Sequence, residues 1–539
     1  MRCPECGHEN PLDYRFCGSC GRPRPVSAAW LTPAGAGAAR ARSSPAPALT
    51  AYVAPPSAET SLAGREAPAT GSRDTGPDRN VTRYLCAAVN MNEDIARAAI
   101  EDVLEEQHRA IAITPGADLV TILKYALRAN RRRVIRDVSL FVILCGMITV
   151  VIFRGHIPLS PLILLVLLVT AWSAVFTDHY VRLFGPAAQG LRPGKFDTTR
   201  APEPGNDHFA NQQLAQIAEA GHSGNVTVYG AFPPFVGYGS IDTSWSFTID
   251  VTRKRRDMEP EPFTVHGIYD HVRNSLAQLD LPGVAVTYRL FVNGKDIYHD
   301  RRFLPRPDGR PVTQVDEALL HQLMTAPEER ARPYLTVGLT GWQGDFIVTT
   351  FVRFLLSRTD LFIEAAHAAV PPLRTQFRAV DNLGPGPTGG QFFRLVWMST
   401  TGTIPRLLGS VPGVFHALGD TNRRDRKQHD VNEAANYGSL LNIREAAADS
   451  EWQRYFQKFD QERYTKIIEA RMFRALVEFL DDHGVDTSEL VAREENITNY
   501  NTVIGNASGS QIAIGKGARA TAKISQLRGK QATPSGGKS

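Results

Sequence analysis

Four cysteines stand among the first twenty residues, Cys3, Cys6, Cys17 and Cys20, arranged as two Cys-x-x-Cys pairs. Each pair can sit on a tight knuckle whose backbone N–H groups point at the sulfurs. Four thiolates then close a tetrahedral Zn²⁺ site with no open position, so the chemistry expected is structural zinc binding. Gly7 and Gly18 supply the backbone freedom such knuckles use. A pair of disulfides is the alternative, and it requires an oxidising compartment. Catalytic signatures are missing from the sequence. It holds no His-Glu-x-x-His and no Gly-x-Ser-x-Gly elbow, and Gly515-Lys516-Gly517 lacks both the leading glycine and the hydroxyl of a phosphate-binding loop. His266, Asp270 and His271 lie about one helical turn apart, a spacing a surface helix produces by chance. No catalytic residue is predicted.

The segments Cys3-Pro4-Glu5-Cys6-Gly7 and Cys17-Gly18-Ser19-Cys20-Gly21 resemble the short zinc-ribbon module at the start of many bacterial proteins. The resemblance implies a small independent unit that binds protein or nucleic acid or serves as a stable cap. The layout of the whole chain is similar to uncharacterised zinc-ribbon membrane proteins of actinobacteria.

The elements that must carry this head follow in order. The chain has 539 residues, 43% hydrophobic and 21% charged, with a net charge of +5. That is too long for one core and too nearly neutral to argue by itself for nucleic acid or anionic lipid as partner. The expected domains are a zinc ribbon (1–21), a disordered linker rich in Ala, Pro, Ser and Gly (22–80), juxtamembrane helices (81–135), a transmembrane helical hairpin (136–177), a lead-in segment (178–222), a cytoplasmic α+β domain with a mostly antiparallel sheet (223–490), and an Asn/Gly-rich, β-prone tail (491–539). No apolar signal region occurs near Met1.

The hairpin rests on two charge-free runs, residues 138–153 and 157–176, of sixteen and twenty residues. At 1.5 Å per residue the second spans about 30 Å, the thickness of the hydrocarbon layer, and the first about 24 Å. Ser139, Gly146 and Thr149 offer a small-residue face for helix contact. Arg128, Arg131, Arg132, Arg133 and Arg136 precede the first run, and Arg182, Arg192 and Lys195 follow the second. The positive-inside rule then places both termini in the cytoplasm, with the protein multi-pass in a bacterial inner membrane. A reducing cytoplasm favours zinc over disulfides at the four cysteines.

In the soluble part, residues 225–229, 245–251, 284–292, 334–340 and 345–354 read as strands, and Asn293-Gly294 as a hairpin turn returning through 295–298. Helices are expected at 265–279, 315–324 and 451–483. Residues 371–430 read as loop: glycines 384, 386, 389 and 390 are interspersed with prolines, and Pro405, Arg406 and Pro412 argue against a third span. In the tail, Ser510-Gln511-Ile512-Ala513-Ile514-Gly515 resembles a relaxed form of the amyloid motifs of bacterial signalling proteins, themselves similar to the RIP homotypic interaction motif. It departs from that pattern in having Ser510 before the glutamine and Ala513 before the glycine. The resemblance implies self-association through the tail. The reading as a whole is a membrane-anchored, cytoplasm-facing scaffold or signalling adaptor, with the lipid bilayer and protein as partners. An enzyme with an unrecognised site in the α+β domain, or nucleic-acid binding through the ribbon, is the alternative.

Overall fold

The computed structural model describes residues 77–153, 159–220, 224–255, 258–429 and 435–494. The four cysteines of the ribbon, most of the linker and the β-prone tail lie outside the described residues. Eleven α-helices and six strands are described: α1 (Pro77–Met91), α2 (Glu93–Ala98), α3 (Leu119–Ile152), α4 (Ser160–Phe184), α5 (Pro186–Gly190), α6 (His208–Ala220), β1 (Val226–Tyr229), β2 (Ser240–Asp250), α7 (Val265–Ala277), β3 (Val284–Asn293), α8 (Glu317–Thr325), β4 (Ala331–Gly341), β5 (Phe346–Leu356), β6 (Asp360–Val370), α9 (Gly389–His429), α10 (Ile443–Ala447) and α11 (Tyr455–Asp482).

One six-stranded sheet, in the order β1-β3-β4-β5-β6-β2, organises the soluble part. Every neighbouring pair is antiparallel except β1 with β3. The mixed α+β sheet therefore has the predominantly antiparallel character read from the sequence. Two strand assignments change. Residues 295–298 do not return from Asn293-Gly294 as a strand; β3 pairs instead with β4, and the Asn293 N–H donates to Arg330 O at 2.9 Å. Strand β6, Asp-Leu-Phe-Ile-Glu-Ala-Ala-His-Ala-Ala-Val, was not expected, because its alanines carry no strand propensity. Its position between β5 and β2 imposes the conformation.

Both sheet faces are covered. Helices α7 and α11 bury Ile268, Val272, Leu276, Met472, Leu476 and Phe479 against one face. Such burial contributes about 1.5–3 kcal/mol for each large apolar side chain. Along the second half of α11 the large apolar side chains are buried in this way, while Tyr455, Phe456 and Phe459 at its start stay exposed. The other face is closed by the loop before β2, whose Phe235 stacks on Phe351 of β5 at 4.0 Å between ring centroids. A separate helical core joins α1, α2, the start of α3, α6, α10 and residues 373–380.

Helix α3 corrects the juxtamembrane reading. It begins at the Asp118 cap, whose Oδ1 accepts from the Thr121 N–H, and runs unbroken for 34 residues from the helical core through the first apolar run. Helix α4 returns through the second run and continues into the segment expected to be a lead-in. Of the small residues expected between the two helices only Gly146 faces α4, with Leu167 at 3.8 Å from where a Cβ would stand. Ser139 and Thr149 are exposed, and their hydroxyls donate back to the carbonyls of Ile135 and Cys145. The largest correction is α9. Residues 389–429, expected to be loop, form a 41-residue helix containing Pro405 and Pro412, and it packs against both α3 and α4.

A charged collar at the base of the hairpin, the candidate functional site

Helices α3 and α4 present apolar outer surfaces that no other described residue covers: Val142, Ile148, Val151, Ile152, Leu162 and Leu165 are all exposed. Two helices, Leu119–Ile152 and the segment from Ser160 to Gly190, are long and apolar enough to cross a membrane. Where they join the helical core, charge is concentrated in one knot. Asp178 of α4 is its hub, with a side chain only 4% exposed. Arg132 Nε lies 3.2 Å from its Oδ1; Arg136 Nη1 and Arg406 Nη1 lie 3.1 and 3.2 Å from its Oδ2. Arg136 also pairs with Glu93 at 2.7 Å and with its neighbour Asp137 at 2.8 Å. Arg182 stands 3.7 Å from Glu93. Asn90 closes the ring, accepting from Arg132 and donating to the carbonyl of Arg182.

Five elements supply the members: Asn90 is near the end of α1, Glu93 opens α2, Arg132, Arg136 and Asp137 sit on α3, Asp178 and Arg182 are toward the end of α4, and Arg406 is mid-way along α9. Spacing of four brings Arg132 and Arg136 to one face of α3. Burying one carboxylate among three guanidinium groups is tolerable because every charge is paired and hydrogen-bonded. Burial alone would raise the Glu93 carboxyl, but its hydrogen bonds to Arg136 and the charges of Arg136, Arg406 and Arg182 bring it down to about 2. Guanidinium groups neither donate protons nor act as nucleophiles near neutral pH, so the arrangement is suited to holding helices and meeting anions, not to acid–base catalysis.

Beside the knot lies an open cleft of about 840 Å³ walled by Arg128, Arg131 and Arg132 of α3, with Glu203 and Asp207 on its other side. The arginines that read as a topological signal in the sequence thus divide. Arg132, Arg133 and Arg136 turn inward to carboxylates, whereas Arg128 and Arg131 stay exposed at the cleft. Asp178 and Glu93 were missed. Asp178 lies just past the second apolar run, and its partners are 42 to 228 residues away, a pairing no local pattern reveals.

His266, Asp270 and His271 are not brought together as a site. His266 Nε2 lies 2.8 Å from Thr325 Oγ1, Asp270 accepts from the Tyr288 hydroxyl and pairs with Arg273, and the His271 ring packs on Phe479. A second polar cluster is buried under the sheet. Glu469 of α11 accepts from Trp245 Nε1 at 2.9 Å and lies 2.8 Å from His367 Nε2, while His367 Nδ1 meets Thr350. With His367 and Glu469 almost wholly enclosed, the cluster ties α11 to β2, β5 and β6 and is closed to substrates. Among the described residues no group of three or more His, Cys, Asp or Glu is placed to hold a metal ion.

Residues 244–512 match one family. The chain carries an AbeC-like domain. Its matched segment begins within β2, includes β3 to β6 and α7 to α11, and leaves the α3/α4 hairpin outside. Helix α9, with Arg406 of the charged knot, therefore belongs to the AbeC-like domain. Residues 2–24 match the zinc-ribbon domain, which contains Cys3, Cys6, Cys17 and Cys20. No curated protein and no solved structure shows significant similarity to the chain.

Proposed function

We propose that the chain is a membrane-anchored scaffold or signalling adaptor whose AbeC-like domain faces the cytoplasm of a bacterial cell. The observation that carries this reading is the pairing of an apolar helical hairpin, uncovered among the described residues, with a charged collar where α3 and α4 join the helical core. Lipid satisfies the first and the headgroup layer the second. The excess of arginine around the collar argues for the cytoplasmic face, which makes the hairpin a two-pass anchor with both flanks inside. In that reducing compartment Cys3, Cys6, Cys17 and Cys20 hold a structural Zn²⁺ by the chemistry of their donor set. The ribbon and the tail beyond residue 495 recruit protein partners, and the tail also associates with itself.

The test is protease access. In inverted inner-membrane vesicles the AbeC-like domain should be cut, and in intact spheroplasts it should be protected. Cleavage only from the outside reverses the topology. Recovery of the full chain in the soluble fraction without detergent rules out the anchor. Crosslinking in intact membranes, with and without residues 496–539, then tests recruitment: an unchanged set of bound proteins rules out the tail as a recruiting element.

A further inference from the structure

Helix α9 has two faces set by its sequence. Leu395, Ser399, Thr403, Leu407, Ser410 and Val414 recur every three or four residues and are buried against the hairpin. Leu407 packs beside Leu140, Ala171 and Val175. Next to that face runs a second row, Phe393, Trp397, Ile404, Leu408, Phe415 and Leu418, at intervals of four, seven, four, seven and three. All six are exposed, the least at 62%. At 1.5 Å per residue this apolar row is about 38 Å long. The flank beyond it is more polar: Arg394, Thr401, Pro405, Gly409 and Pro412 are exposed there, with Met398 its one large apolar residue, at 37% less exposed than any residue of the row. Soluble surfaces rarely carry so long an apolar row, here interrupted at the exposed Thr400.

The contacts of α9 fix its level. Phe392 packs on Phe176, Thr400 accepts from Trp172 Nε1, Ser399 meets His179, Arg406 reaches Asp178, the Gly413 backbone lies against Asp137, and His416 stands 3.4 Å from Glu101. All these partners lie at the collar end of the hairpin or below it. Both flanks of α9 also return to the same body. Phe377 and Val380 are buried in the helical core before it, and after it Ser439 bridges to Tyr229 beside β1 while Tyr437 N–H donates to Gly294 O. A helix that crossed the bilayer would leave its ends on opposite sides.

We propose that α9 is an in-plane membrane helix, lying at the headgroup–acyl boundary of the cytoplasmic leaflet with the row from Phe393 to Leu418 dipped into lipid. This inference rests on the reading of α3 and α4 as membrane-spanning. Lipid is the occupant because the row continues the apolar outer surface of the hairpin at the level of the charged collar. The same helix carries basic residues for anionic headgroups, Arg394 on its exposed flank and, by sequence, Arg423, Arg424, Arg426 and Lys427 toward its end. Exposed aromatic residues such as Phe393, Trp397 and Phe415 are the types that settle at this boundary. Pro405 and Pro412 withdraw the N–H donors that would meet the Thr401 and Leu408 carbonyls, and the packing of α9 on α3 and α4 offsets that cost. The AbeC-like domain thereby gains its own grip on the membrane and is held flat against it.

The test places photoreactive p-benzoylphenylalanine, one position at a time, in the full chain at residues 393, 397, 408 and 415, at residues 401 and 409 on the other flank, and at residue 165 in the hairpin. Each is an exposed site, and each variant is first checked for wild-type elution in detergent. Illumination in native membranes containing radiolabelled phospholipid is expected to label 393, 397, 408 and 415 as strongly as 165, and several-fold more than 401 and 409. Labelling at 165 with none along the row overturns the inference and leaves the anchor standing. Crosslinks from the row to a second copy or another protein overturn it too, by showing a docking face instead. Labelling along the row without labelling at 165 removes the hairpin span and, with it, overturns the placement of α9 at the level of the collar. No labelling anywhere overturns both.

Discussion

Arg406 Nη1 stands 3.2 Å from Asp178 Oδ2, although 228 residues separate them in the chain. The contact joins α9 of the AbeC-like domain to the end of α4, and it does so at the carboxylate that also binds Arg132 and Arg136 of α3. Three long helices are thus locked at one buried charge.

Removing that charge should loosen all three helices together. Asp178→Ala leaves three guanidinium groups facing one another in a buried site, and breaking a buried pair this way costs about 3–5 kcal/mol. Arg406→Ala removes one arm of the knot and should cost less. A thermal melt of the full chain in detergent checks the order; a loss for Arg406→Ala as large as that for Asp178→Ala would show that Asp178 is not the hub.

The acid response of the collar should run through Glu93. Its folded-state carboxyl titrates near 2 against an ordinary 4.5. A depressed carboxyl stabilises the fold above about pH 4.5, and that contribution is lost as pH falls from there toward 2. Wild type should therefore melt above Glu93→Gln at pH 7, with the gap narrowing below pH 4.5 and closing near 2. A gap independent of pH over that range would remove Glu93 from the account.

What could be read in advance follows from how local each cause is. The two apolar runs were legible because a long charge-free stretch shows itself residue by residue, and β3, β4 and β5 because their β-branched and aromatic residues carry the signal themselves. Strand β6 was not, since Ala365, Ala366, Ala368 and Ala369 become strand only through pairing on both sides. Helix α9 was hidden by Pro405 and Pro412, whose cost is offset by packing on the hairpin that sequence alone does not place beside them. The charged collar was half visible: its arginines read as a topological signal, while the carboxylates that organise them come from α2 and α4.

Close approach of α9 to α3 depends on Gly413. A Cβ there would stand 2.7 Å from Asp137 Oδ2, and Asp137 is itself held by Arg136 and Arg133. Gly413→Val should force the helices apart and, as overpacking, cost about 1–3 kcal/mol. Gly409, with nothing within 4 Å of its Cβ position, is the control: Gly409→Ala should melt at or above wild type. Equal melting of the Gly413→Val variant and wild type would show that the interface yields there.

Zinc should be separable from the rest of the fold. The full chain is expected to bind one Zn²⁺ per chain by elemental analysis, and Cys17→Ser or a strong chelator to abolish it, since three thiolates leave the tetrahedron open. The melt of the sheet domain should not move, because its cores are built from residues between Phe235 and Leu490. Full zinc occupancy in the Cys17→Ser variant would refute the four-cysteine site.

The loop over the second sheet face hangs on Glu445 of α10. Its Oε1 accepts from the backbone N–H groups of Gly237 and Gly239, at 2.9 and 2.6 Å, and so fixes the loop that lays Phe235 on Phe351. Both glycines have positive φ, and a Cβ at Gly239 would collide with the carbonyl of Ala369, so the loop cannot re-form around a different residue there. Burial pushes the Glu445 carboxyl up from 4.5, opposed by those two N–H groups. A raised carboxyl makes the fold prefer the protonated form. Ionisation then costs stability at neutral pH, and the cost shrinks as pH falls through the raised value toward 4.5. Glu445→Gln keeps an acceptor oxygen without the charge and should melt at or above wild type at pH 8, with the difference shrinking at pH 5. Glu445→Ala abandons both buried N–H groups and should cost about 1–3 kcal/mol. If glutamine proves as damaging as alanine at pH 8, the carboxylate's charge, and not its oxygen, holds the loop.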